Sequence, residues 1–325
     1  MRTKLDTDLT RMLDIEFPII QAPMFLVSNT NMAIAAAEAG ITGCIPAMNY
    51  RTIPELRTAI LEFKNKSNGP LGINLIVNKF NAKSEEQLNT CVELGVDYII
   101  TSLGNPKATI NACKPKGIKV FCDVVNLEYA KKVESLGADA VIAVNNKAGG
   151  HLGPMSPEEL IPLLVKNCNI PVISAGGVSD GNQLEKILNL GAAGVSIGTP
   201  FIATHESDVS QDYKQAIVDY GAEDIVVTDR ISGSKCTIIN TPYVQKLSLK
   251  ANRLERFLFK NKWFKKYFKM FRWFKGTKMF KESALQATYK TVWCAGPSLE
   301  GVYSIRPVAQ VVADILKPFM HVDGD

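Results

Sequence analysis

Short apolar runs rich in β-branched residues recur along the first 200 residues, and their starts are 21 to 31 residues apart. Within each run, apolar residues follow one another instead of alternating with polar ones, which is typical of parallel strands covered on both faces. The eight runs are 18–24, 41–46, 71–77, 97–102, 119–125, 140–145, 171–176 and 194–199. The pattern predicts eight strands.

The segments between these runs carry helical periodicity. The clearest are 31–39, 53–63, 84–94, 127–136, 157–165 and 181–190. Gly95, Gly137 and Gly191 each follow such a segment and precede a strand, where glycine suits the left-handed position that closes a helix. Strand followed by helix, eight times, indicates a parallel α/β fold.

Eight such units fit a closed barrel better than an open doubly wound sheet, which has about five to seven strands. We therefore expect an α/β protein with a (β/α)8 TIM barrel and a C-terminal helical, basic-aromatic extension. The expected domains are the barrel at 1–240, a basic aromatic helical insertion at 241–290, and a segment at 291–325 that returns to the barrel.

Functional groups of such barrels lie at the carboxyl ends of the strands. Polar residues and glycines interrupt the apolar pattern there at 21–24, 74, 78, 123, 126, 145–153, 174–180 and 198–199. Two glycine turns, 175–180 and 197–199, follow the seventh and eighth strands and should be neighbours in space. Backbone N–H groups at such turns can approach a phosphate closely, so we predict an anion site. A phosphorylated substrate and a cofactor fit it equally well.

Several motifs resemble one enzyme family. They are 18–24 (PIIQAPM), 72–74 (GIN), 148–153 (AGGHLG), 175–180 (AGGVSD) and 194–199 (GVSIGT). The sequence is similar to the nitronate monooxygenases, formerly 2-nitropropane dioxygenases, and to their relative, the flavin-type enoyl-acyl-carrier-protein reductase. The likeness covers about residues 10–240 and returns weakly at 293–312; AGGHLG is its most specific part.

The resemblance implies FMN as cofactor. It places Ala22, Pro23 and Met24 against the flavin ring, Asn74 at the ring edge, and the glycine turns with Thr199 at the phosphate. The full set of cofactor-binding residues expected on this basis and from the strand ends is Ala22, Pro23, Met24, Asn74, Asp123, Lys147, Gly150, Ser174, Ala175, Gly176, Gly177, Gly198 and Thr199. No metal site is expected.

His151 is the candidate catalytic residue. The chain has three histidines, and this one follows two glycines just after the sixth strand. Relatives usually have an acidic residue directly before the AGGH motif, whereas this chain has Lys147. We expect a lysine there to favour an anionic ring or substrate and to lower the pKa of His151. A structural histidine and a solvent-exposed lysine are the alternatives.

The composition predicts where the protein is located and shows that its positive charge is concentrated in one segment. Hydrophobic residues make up 46% of the chain, and no apolar run reaches the roughly 18 residues of a membrane span, so we expect a cytoplasmic protein. The seven cysteines lack metal-ligand spacing, and reduced thiols are expected. Residues 245–283 hold thirteen Lys or Arg against two Glu, so the net charge of +5 arises in one segment.

That basic segment also carries aromatic residues three or four apart, as on one face of a helix. The spacing leaves open packing on the barrel or a homodimer partner, contact with an acidic protein, and peripheral attachment to an anionic membrane. Nucleic acid is disfavoured as a partner, because helical spacing gathers the aromatics into one stripe.

The resemblance implies an FMN-dependent nitronate monooxygenase that oxidises alkyl nitronates with O2 to carbonyl compounds and nitrite. His151 would take the α-proton of a neutral nitroalkane or hydrogen-bond the nitro oxygens. An FMN-dependent NAD(P)H oxidoreductase, such as an enoyl-acyl-carrier-protein reductase, is the alternative function. A non-catalytic flavin or phosphate sensor is a third.

Overall fold

A computed structural model of the chain describes residues 4–78, 81–229, 234–246, 281–282, 284–285 and 291–320. Within them, eight parallel strands close a barrel in the order β1-β2-β3-β4-β5-β6-β8-β9, with β9 pairing back onto β1. Their bounds are Ile19–Gln21 (β1), Thr42–Pro46 (β2), Leu71–Ile76 (β3), Tyr98–Ser102 (β4), Lys119–Val124 (β5), Ala140–Val144 (β6), Val172–Ala175 (β8) and Gly194–Ile197 (β9). Each lies inside one predicted run, and the predicted TIM barrel is confirmed.

Helices follow the strands around the outside. Their bounds are Asp8–Leu13 (α1), Thr30–Glu38 (α2), Ile53–Lys66 (α3), Ser84–Leu94 (α4), Lys107–Cys113 (α5), Leu127–Ser135 (α6), Pro157–Asn167 (α7), Gly181–Asn189 (α8), Thr199–Ile202 (α9), Gln211–Asp219 (α10), Pro242–Lys246 (α11) and Val308–Leu316 (α12). Gly95 ends α4 with φ of 62°, and Gly137 and Gly191 also have positive φ, as the sequence predicted. The helix α5 is short, and its apolar pattern was too weak to predict it.

The amino-terminal end of the barrel is filled by apolar side chains. Tyr98 stacks on Phe121 with 5.1 Å between ring centroids, and Leu9 and Leu13 of α1 join the same buried cluster. Gly72 leaves the room for the Tyr98 ring, because a Cβ there would lie 2.2 Å from it. The packed lower end leaves the carboxyl ends of the strands as the open end of the barrel.

A second, antiparallel sheet lies beside that open end. It consists of Ile225–Thr228 (β10), Cys236–Ile239 (β11) and Gly150–His151 (β7), in the order β10-β11-β7. The chain after residue 291 packs next to it, since Ile239 N donates to the Trp293 carbonyl, while α12 packs against α2 and α8. The sequence did not predict this sheet. Most of the basic aromatic segment, residues 247–280, lies outside the described residues.

Candidate active site

A cavity of about 840 Å³ opens at the carboxyl ends of the strands. Twelve of the fourteen residues predicted for the site line it, and they come from six different strands or the loops that follow them. The twelve are Ala22, Pro23, Met24, Asn74, Asp123, Gly150, His151, Ala175, Gly176, Gly177, Gly198 and Thr199. The barrel thus brings together residues that are far apart in the sequence.

One wall is the segment Ala22 to Met24 after β1, and a buried serine fixes its shape. Ser28 Oγ donates to the Ala22 carbonyl (2.7 Å) and accepts from Met24 N (2.9 Å). It also accepts from Gln21 Nε2 at 2.8 Å. The sequence did not single out Ser28, because a hydroxyl four residues beyond the wall gives no signal of its own. This wall presents apolar side chains in a fixed arrangement.

The turn after β8 has its glycines where other residues would be strained. Gly176 and Gly177 have φ of 113° and 82°. A Cβ on Gly176 would lie 2.5 Å from Ala148 N, and the Gly176 carbonyl accepts from Asn145 Nδ2 at 3.0 Å. Gly176 therefore shapes the protein backbone as well as the cavity.

The turn after β9 is different, because Gly198 has ordinary backbone angles of −113° and −69°. A Cβ added there would meet only the flexible Met24 side chain closely, at 3.2 Å from Sδ. Next to it, Thr199 Oγ1 accepts from Gly296 N at 3.0 Å, and Gly149 lacks the side chain that would collide with both. The segment around Gly296, which sequence reasoning did not assign to the site, thereby closes over this turn.

Polar groups on β3, β4 and β5 form a hydrogen-bonded chain at another part of the wall. Asn74 Nδ2 donates to Ser102 Oγ (2.8 Å) and to the Ile100 carbonyl (3.1 Å). Ser102 Oγ in turn donates to Asp123 Oδ2 at 2.5 Å. Because both amide hydrogens of Asn74 are used, its Oδ1 remains as the acceptor. Ser102 is a further residue that the sequence did not reveal.

Asp123 has accessible surface because it faces the cavity, yet protein surrounds it. Burial raises its pKa to about 6, and the Ser102 hydrogen bond acts in the opposite direction. An acid with such a pKa exchanges its proton close to neutral pH. A perturbed carboxyl in a cleft is typical of functional sites.

His151 lies in β7, where it pairs with Cys236 across the antiparallel ladder. Thr237 Oγ1 donates to the Ala148 carbonyl (2.8 Å) and holds this loop from the same strand. Burial lowers the pKa of the His151 imidazole below its ordinary 6.5. At neutral pH the ring is therefore uncharged and able to accept a proton.

Two predicted residues lie elsewhere. The Lys147 ammonium is 3.8 Å from Glu158 of α7 and its side chain is 46% exposed, so it is not part of the cavity wall. The lowered pKa of His151 arises from burial, not from Lys147 as the sequence suggested. Ser174 is buried behind the wall, 3.4 Å from Asn145 Nδ2.

In the part of the cavity toward β4, β5 and α6, apolar side chains lie next to the polar Ser102 and Asp123. Leu103 is half exposed at this end and has a left-handed φ of 58°, which is uncommon for a residue with a branched side chain. The apolar side of this part of the cavity is lined by Ile76, Ile100, Leu103, Pro106, Val124, Val125 and Tyr129. Substrate with an apolar portion could be accommodated there.

Comparison with known proteins identifies the family. The family model described as nitronate monooxygenase matches residues 6–318. The chain belongs to this family. Members and relatives are oxidoreductases, and this nitronate monooxygenase family member is an oxidoreductase with a TIM barrel fold acting on a small molecule.

Relatives with different activities share the sequence at similar levels. A probable nitronate monooxygenase of Staphylococcus saprophyticus is 30% identical over 75% of this chain and 81% of its own. The (3aS,4S,5R,7aS)-5-hydroxy-7a-methyl-1-oxo-octahydro-1H-indene-4-carboxyl-CoA dehydrogenase of Rhodococcus jostii is 32% identical over 76% of this chain and 69% of its own. The structure of FabK from Thermotoga maritima is similar with a TM-score of 0.83 and 31% identity, covering 97% and 96% of the two chains.

Two features are absent from the described residues. None of their helices has the length and apolar character needed to cross a bilayer. Nor do three or more histidine, cysteine or acidic side chains gather there in a way that could hold a metal ion.

Proposed function

We propose that this family member binds FMN in the 840 Å³ cavity and oxidises alkyl nitronates with O2. The observation that carries the proposal is that glycine turns, an apolar wall and hydrogen-bonded polar side chains face one cavity. FMN needs all three kinds of group: amides for its phosphate, an apolar surface for its ring, and fixed polar groups at the ring edge.

The fit to FMN can be judged residue by residue. The turns at Gly176, Gly177 and Gly198, which line the cavity, would hold the phosphate through their backbone amides. Ala22, Pro23 and Met24 would cover the ring, and Asn74 would accept a hydrogen bond at its edge. Bound FMN would supply the capacity to take electrons from the substrate and pass them to O2.

The chain's own residues would then orient the substrate and manage one proton. His151 is neutral at pH 7, so its ring can accept the acidic α-proton of a nitroalkane. A nitronate has already lost that proton and would use His151 as a hydrogen-bond donor to its oxygens. The expected products are a carbonyl compound and nitrite.

A second candidate function is the oxidation or reduction of an acyl thioester, with NAD(P)H as the electron donor in the reductive direction. It is supported by two relatives: the Rhodococcus enzyme named as a carboxyl-CoA dehydrogenase, and FabK, an enoyl-acyl-carrier-protein reductase. The apolar end of the cavity, near Leu103 and Tyr129, suits the hydrocarbon portion of such a substrate equally well.

Anaerobic reduction of the FMN-loaded protein separates the two candidates. The visible flavin absorbance is followed after mixing with ethyl nitronate, NADH or NADPH, each in a separate syringe. Rapid bleaching by the nitronate, followed by nitrite release when O2 is admitted, is the expected result. Bleaching by a pyridine nucleotide alone, with reoxidation by an enoyl thioester, would replace the first candidate with the second.

A further inference from the structure

The cavity contains an acid without a cation to balance it. Among the described residues that line the cavity, Asp123 is the one carboxylic acid, and none is a lysine or an arginine. Its carboxylate is held by the Ser102 hydroxyl, which is a neutral donor. When Asp123 is ionised, the described wall therefore carries one uncompensated negative charge.

The titratable groups around Asp123 do not change this balance at neutral pH. Cys122 precedes it on β5, and Cys44 of β2 lies near enough to feel its charge. Burial raises the pKa of both thiols, so they stay neutral. Tyr129 and His151 line the same cavity, and the pKa of His151 is lowered by burial.

This arrangement treats charged and neutral substrates differently. An anion that enters the cavity meets a like charge between protein walls, where the repulsion is less screened than in bulk water. Protonation of Asp123 removes the repulsion and turns the carboxyl into a hydrogen-bond donor. A neutral substrate is not repelled, so its binding does not require a protonated Asp123.

We propose that Asp123 takes up one proton from solvent when an anionic substrate binds, and thereby selects between the nitronate anion and neutral substrates according to pH. The proposal rests on the proposed function, because it takes this cavity as the substrate site. Asp123 is then a residue that determines specificity through its charge, in addition to any contact with FMN.

The test uses a pair of non-reacting ligands that differ in charge. Butanoate has a flat anionic head like that of a nitronate, and butanamide is its neutral counterpart. Their Kd values for the FMN-loaded protein are measured from the change in flavin absorbance between about pH 5.5 and about pH 8.5. We expect the Kd of butanoate to rise by up to about tenfold per pH unit above the pKa of Asp123, and that of butanamide to stay constant.

Three variants test whether Asp123 causes the pH dependence of the butanoate Kd. Asp123→Asn keeps an acceptor for Ser102 and should flatten the butanoate profile and tighten binding at the alkaline end. Glu128→Gln, an exposed change on α6, should leave the profile as in wild type. His151→Asn should keep most of the slope. A wild-type slope in Asp123→Asn, or a slope lost only in His151→Asn, would overturn the proposal.

Calorimetry provides an independent reading. Butanoate binding in two buffers of different ionisation enthalpy should reveal uptake of about one proton per site in wild type and none in Asp123→Asn. Equal uptake in both proteins would also overturn the proposal. If uptake depends on Asp123 but no nitronate is oxidised, the proposed reaction fails while the role of Asp123 stands.

Discussion

The protein around His151 gives it a different character from a fully solvated histidine. Desolvation lowers the pKa of the imidazole from its ordinary 6.5, which favours the neutral ring. The strand β7 that carries it is paired with β11, which holds the backbone of Gly150 and His151. A base that is neutral and held in place is what abstraction of an α-proton requires.

His151→Asn should separate two substrates that differ by one proton. For neutral nitroethane, kcat/KM should fall by about 10²-fold or more, the usual contribution of a general base. For preformed ethyl nitronate the loss should be far smaller, because its proton has already gone. Steady-state oxygen consumption measures both. Equal losses would assign His151 to hydrogen bonding or flavin positioning.

The same residue sets the pH dependence of nitroethane oxidation in wild type. Because the base must be unprotonated and desolvation lowers its pKa, kcat/KM should rise with pH and then level off, with the midpoint of the rise below 6.5. In His151→Asn, the residual kcat/KM should no longer rise with pH over this range. A rise that persists in the variant would assign the pH dependence to another titratable group.

At the scale of elements, the two glycine turns beside α8 and α9 have different structural demands. Gly176 has a positive φ, and a Cβ there would lie 2.5 Å from Ala148 N, so any side chain disturbs the turn itself. Gly198 has ordinary backbone angles and faces the flexible Met24 side chain. Only the second glycine can be changed without first damaging the fold.

Gly198→Val should therefore lower FMN affinity by about tenfold or more while the protein stays folded, because a side chain there narrows the phosphate site. Gly176→Val is the contrasting variant and should lose thermal stability, since its φ and its neighbours both oppose a Cβ. Fluorescence titration with FMN and the Tm from circular dichroism measure the two effects. Unchanged FMN affinity in folded Gly198→Val would show that the phosphate does not bind at this turn.

At the scale of the molecule, the barrel could be predicted because eight buried strands leave eight continuous apolar runs, each bounded by helical periodicity. The position of most site residues followed, since the fold fixes which strand ends meet. The β7 strand could not be predicted: it has two residues, and its partner Cys236–Thr237 lies far along the chain. The sequence left the direction of the Lys147 side chain open, because its neighbour Glu158 lies on the following helix and the pairing depends on the fold.

The predicted boundaries of the basic insertion, and its contacts with a dimer partner, an acidic protein or a membrane, remain proposals. We expect that replacing residues 247–280 with a flexible Gly/Ser bridge leaves FMN affinity unchanged, because the residues expected to hold FMN all precede residue 200. Self-association and retention by anionic vesicles should change instead. In the full-length chain, changing Lys262, Lys265, Lys266, Lys269 and Arg272 to Gln should have the same selective effect. Loss of folding in the bridged protein would assign the segment to the core.

The central claim is that the cavity is built for FMN, with the phosphate on the glycine turns. Titration of the apoprotein with FMN and, in parallel, with riboflavin tests it most directly, because the two molecules differ only in the phosphate. We predict one FMN bound per chain and a riboflavin Kd about 100-fold weaker or more, as expected when several backbone amides lose a charged partner. A protein that binds neither flavin, or binds riboflavin as tightly as FMN, would contradict the account.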